Sequence, residues 1–75
     1  MSELPSYVTE AFDTLYNKKT NGPEYCIAKG SLYEELRRDV RFGEVDAVNV
    51  SRMLNNGEVE EAEVFVEETL EGDKQ

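Results

Sequence analysis

A chain of 75 residues carrying 17 Asp and Glu, 8 Lys and Arg, no His and one Cys has a formal charge of −9. That length allows a single domain, 1–75, and leaves no room for a two-domain enzyme. The acid excess disfavours nonspecific binding to nucleic acid or an anionic membrane, since both need a positive footprint. One Cys forms no internal disulfide, and without His it supplies no zinc set.

No apolar run approaches the roughly 20 residues of a membrane span, and no signal peptide is expected, which points to the cytoplasm. The 39% of apolar residues are spread along the chain, so a folded state is expected despite the charge. Chains below about 70–80 residues usually carry a disulfide or a metal. Neither is visible here. Stability must then come from compact helix packing, from a homodimer or from a partner.

Leu4, Tyr7, Val8, Ala11, Phe12, Leu15 and Tyr16 recur at helical spacing and form one stripe. Pro5 suits a first helical turn, Lys18 and Lys19 suit the negative helix end, and Thr20-Asn21-Gly22-Pro23 stops the run. A helix is predicted over 5–18. Residues 24–28, Glu-Tyr-Cys-Ile-Ala, follow as a short β-prone run and read as an extended segment with no second strand to pair with. Cys26 within it reads as a buried structural thiol.

Ser31 and Glu34 have the spacing of a capping box, so a second helix is predicted over 32–41, with Leu32, Leu36 and Val40 facing inward and Phe42-Gly43 closing it. Asp46 is placed as the cap of a third helix, with Val45 and Val50 spaced as a hydrophobic staple. Asn55-Asn56-Gly57 ends that helix.

Residues 58–71 admit two readings. As a strand, Ala62, Val64 and Val66 share one face, but Phe65 falls among the acids. As a helix, Val59, Ala62, Phe65, Val66, Thr69 and Leu70 form a stripe and Gly72 stands where a cap belongs. The helix accounts for more residues. The expected fold is therefore all-α, a small bundle of about four short helices with one extended segment. The alternative is a winged helix in which 58–68 is a hairpin and 47–54 the recognition helix.

Little here supports catalysis. No His can act as a base, no nucleophile sits in a G-x-S-x-G context, and the glycines fall singly, so no phosphate loop forms. The acids lack the pattern of a calcium loop. No cofactor or metal is expected, and the chain reads as a non-enzyme. Asn49-Val50-Ser51 matches a glycosylation sequon but lies in a predicted helix. Arg37, Arg38 and Arg41 are the cations a DNA-binding regulator would need, and that is the alternative function. Against it, Glu34 can pair with Arg37 and Arg38, the 47–54 helix holds one cation, Arg52, and the 58–68 segment holds none. Direct nucleic-acid binding is disfavoured.

Charge is unevenly placed. Residues 1–43 hold seven acids and six bases, whereas 44–75 hold ten acids and two bases. Between Glu58 and Asp73 there are eight acids and no base. On a helix Glu60, Glu63, Glu67 and Glu71 lie along one side, interrupted by Val64, with Glu61 and Glu68 flanking. Steps of four residues set the carboxylates about 6 Å apart, comparable with successive phosphates of a nucleic-acid strand. A solubilising surface is the plain explanation. Yet like charges at i, i+4 cost a few tenths of a kcal/mol per pair, and mixed signs would solubilise without that cost. These six residues are therefore the expected partner-binding face, directed at a cationic partner surface. Reversing Glu63 and Glu67 should spare the fold, because both lie off the Val59–Ala62–Val66–Leu70 stripe.

Leu4-Pro5-Ser6-Tyr7-Val8, Ser31-Leu32-Tyr33 and Phe65-Val66-Glu67-Glu68-Thr69-Leu70-Glu71-Gly72 together resemble scattered pieces of small acidic, functionally unassigned proteins encoded by phages of Gram-positive bacteria. The resemblance implies a phage or mobile-element context. Within that context it implies a class, an inhibitor that occupies the nucleic-acid channel of a host enzyme.

Overall fold

The computed structural model describes residues 4–70 and is all-α: α1 (Ser6–Asn17), α2 (Pro23–Arg38), α3 (Glu44–Asn55) and α4 (Val59–Leu70). Consecutive helices pack side by side and α4 returns to α1, so the four close into a ring. The α1–α4 edge thus lies across the ring from the α2–α3 edge. Among the described residues there is no strand, so the winged-helix alternative fails at its wing: 59–70 is helical throughout. No helix of the described chain is long and apolar enough to cross a membrane.

Helix α1 forms where its stripe predicts, with Pro5 just outside in extended geometry (φ −56°, ψ 150°) and its carbonyl accepting from the Val8 and Thr9 amides. Val8, Ala11, Phe12 and Leu15 are buried.

Helix α2 corrects the sequence reading. Residues 24–28 are not extended; the helix begins at Pro23, whose missing N–H is one of the orphan donors of a first turn. Tyr25, Leu32 and Leu36 are its buried residues, with Ala28 half-buried between them. This stripe runs straight through Gly30 and Ser31. Burying a Leu contributes about 1.5–3 kcal/mol, against about 1 kcal/mol lost to Gly in a helix interior, so the stripe prevails. The supposed capping box at Ser31 and Glu34 is mid-helix. Cys26 and Ile27 face solvent, not the core. The helix ends at Arg38, and Val40, placed inward by the sequence reading, is 97% exposed in the following turn. Phe42 takes the buried position instead.

Helix α3 also starts earlier than predicted. Gly43 is its cap residue, and Asp46, in the first turn, reaches back to accept the Gly43 amide at 3.2 Å. Val45 is inside the helix and exposed, so no staple with the buried Val50 forms. The stop is as expected. Gly57 adopts φ +79°, with the Glu58 amide on the Met53 carbonyl (2.9 Å) and the Gly57 amide on the Leu54 carbonyl (3.1 Å). This is a Schellman closure.

The core joins Phe12 and Leu15 of α1, Leu32 and Leu36 of α2, Val50 and Leu54 of α3, and Ala62 and Val66 of α4. One polar group enters it with a partner: the Tyr25 hydroxyl donates to the Leu54 carbonyl at 2.5 Å, tying the start of α2 to the end of α3.

Candidate functional site

Helix α4 opens after Glu58, whose carbonyl accepts the Ala62 amide. Its apolar stripe, Val59, Ala62 and Val66, is buried, with Phe65 and Leu70 partly buried against the core. That stripe fixes where the acids go. Glu60 and Glu61 stand in the first turn, where the positive helix end favours carboxylates. At 100° per residue, Glu63, Glu67 and Glu60 lie on one flank of the stripe, and Glu61 and Glu68 on the outer side. Glu60, Glu61 and Glu68 are exposed, while Glu63 and Glu67 are half-buried. Glu71 lies outside the described residues, as does Gly72. Val64, 45% exposed, stands between the two acidic rows.

One contact was not visible in the sequence. Tyr16 of α1, half exposed and set against the Phe12 ring (6.5 Å between centroids), donates its hydroxyl to Glu63 Oε1 at 2.6 Å. The flank bearing Glu60, Glu63 and Glu67 therefore faces α1. The Tyr16 phenol is pushed up to about 12, first by the hydrogen bond to Glu63, then by burial, then by the charges of Glu63, Glu60 and Glu67. A group on the neighbouring helix thus feels all three carboxylates at once. It also changes the status of Glu63, which belongs to the α1–α4 contact and is not a bystander to the fold. Forty-seven residues separate the pair, and no local spacing rule links them.

The cations lie elsewhere. Arg41 does not extend outward: it grips Asp39 through two side-chain bonds (Nε 2.9 Å, Nη2 2.6 Å), and its amide bonds the same carboxylate. Tyr7 donates a further bond to Asp39 at 3.0 Å. The Asp39 carboxyl is held down at about 2, chiefly by the Arg41 side-chain hydrogen bond. Arg37 lies over the Tyr33 ring at 5.6 Å, and Lys29 bonds Asn55 across the α2–α3 edge. Among the described residues the ion pairs are Lys18–Glu24 and Arg41–Asp39, so the expected Glu34 pairs with Arg37 and Arg38 do not form.

The arrangement is thus polar across the ring. Carboxylates crowd the α1-facing flank of α4, while Lys29 and Arg52 border the α2–α3 edge and Lys18, at the end of α1, turns to Glu24 of α2. No group of three or more potential metal ligands gathers among the described residues. Chemically, the α4 face can attract and orient a cationic surface. Comparison with family models, with curated proteins and with solved structures finds no match to this chain.

Proposed function

We propose that the protein is a non-catalytic binding module that docks the acidic face of α4 on a cationic surface of a host protein, one that otherwise holds nucleic acid. Glu60, Glu63 and Glu67 carry the attraction, with Glu71 continuing the row in sequence and Glu61 and Glu68 at the rim. The observation that supports this most is the concentration of these carboxylates on one helix without an accompanying base. The resemblance to small acidic phage proteins suggests the setting, a mobile-element inhibitor acting in the cytoplasm.

Nothing observed favours direct DNA binding. Arg41 is committed to Asp39, α3 carries Arg52 alone among cations, and no basic wing exists among the described residues. Capture from host lysate on the immobilised chain, with and without added duplex DNA, tests the proposal. A basic nucleic-acid-binding protein retained in low salt and released by duplex DNA supports it. Retention indifferent to both DNA and salt contradicts it.

A further inference from the structure

We infer that the groove between α1 and α2 is a second docking site, shaped for a peptide segment in which a large aliphatic side chain stands between basic residues. The groove is separate from the α4 face, open to solvent, and has a volume of about 430 Å³, within the range of roughly 300–1,000 Å³ usual for ligand sites. Ala11, Ala28 and Leu32 contribute apolar lining. Ile27 also lines it and is 72% exposed, because among the described helices α2 packs on α1 and α3 and none covers this side.

Three carboxylates also line the groove, Glu10 from α1 and Glu24 and Glu35 from α2, and among the described residues no cation lines it. Lys18 reaches Glu24 at 3.8 Å, with both side chains about half exposed or more. Such a surface pair is weak and a partner's cation can replace it. Thr14 and Ser31 add hydroxyls that can bond a peptide backbone.

This combination selects the occupant by charge and by shape. An acidic segment is repelled by Glu10, Glu24 and Glu35. A purely polar cation leaves Ile27 and the apolar lining wet, so it is held by screened attraction alone. A segment that pairs an aliphatic side chain with Lys or Arg satisfies both parts.

The probe is a short synthetic amphipathic peptide of Leu and Lys, added to the full ¹⁵N-labelled chain and followed by amide chemical shifts. Its controls replace Leu by Ser, or Lys by Glu. The expected result is perturbation of residues 7–14 and 24–35, with affinity falling roughly tenfold when the peptide loses its Leu side chains. A similar loss is expected for Ile27→Ser and for the combined Glu10→Gln, Glu24→Gln, Glu35→Gln variant, whose substituted side chains are largely on the surface. Unchanged circular dichroism shows that each variant folds. Shifts confined to 59–70 overturn this inference while leaving the acidic α4 face in place. Equal binding of the Ser–Lys peptide, or no perturbation at all, also overturns it.

Discussion

At Tyr25 a single hydroxyl links two helices from inside the core. Removing it in Tyr25→Phe keeps the ring packed but deprives the Leu54 carbonyl of one of its donors; the Gly57 amide remains on that carbonyl. A loss of about 1 kcal/mol is expected, read as a fall in Tm of about 4–8 °C for a domain this size. Gly57 is a second residue with a defined demand, since its φ of +79° is costly for any side chain. The nearest atom to an added Cβ, Thr20 Cγ2 at 3.5 Å, is an ordinary contact. Gly57→Ala should therefore lose about 1–2 kcal/mol through backbone strain alone, measurable by urea denaturation. The ionisable groups set the pH limits. Tyr7 and Tyr16 are both raised to about 12 from 10.0, Tyr7 first by burial and Tyr16 first by its bond to Glu63. A raised folded value means the stabilisation is complete below pH 10 and is lost as pH climbs toward 12. Asp39 works in the opposite sense: its contribution is present above its ordinary value of 3.8 and disappears as pH falls through about 2. Thermal melts across pH should show both shoulders. Tyr16→Phe should diminish the alkaline one, and Asp39→Asn the acid one.

Among the elements, α1 was legible almost to the residue, because its stripe is continuous and its flanks are Pro and Gly. Helix α2 was not. Tyr25-Cys26-Ile27 has β-prone side chains, and Ser31 with Glu34 mimics a helix start. Local pattern therefore suggested a break that burial of Tyr25, Leu32 and Leu36 overrides. Val40 was placed inside because the stripe of Leu32 and Leu36 was carried past the true helix end at Arg38; in the turn that follows, Phe42 takes the buried position. In α4, periodicity identified the buried stripe and hence the acidic rows, but the sequence could not reveal that Tyr16 claims Glu63. Long-range pairing is invisible to spacing rules. The α2 account has a direct check. An added Cβ at Gly30 meets nothing within 4 Å, so Gly30→Ala should stabilise the protein by about 0.5–1 kcal/mol. If 24–28 were extended and the helix began after Gly30, that substitution would bring no such gain.

For the whole molecule, four short helices closed into a ring leave little interior to spare, and the charge is displaced toward one edge. The α1–α4 edge concentrates carboxylates that repel one another, a cost that a cationic partner would relieve. Contacts of this kind act mainly on the rate of association and weaken as salt screens them. Because Glu63 is bonded to Tyr16, the informative charge reversal is Glu60→Lys with Glu67→Lys, which leaves that bond in place. The most direct measurement follows the association rate with the basic protein recovered by lysate capture, for native chain and this double variant, across a salt titration. The account predicts a rate that falls steeply with salt for the native chain, at least about tenfold slower binding by the variant at low salt, and unchanged helix content. Equal association rates for both chains across the titration would show that the acidic face of α4 is only a solvated surface, and would contradict the account.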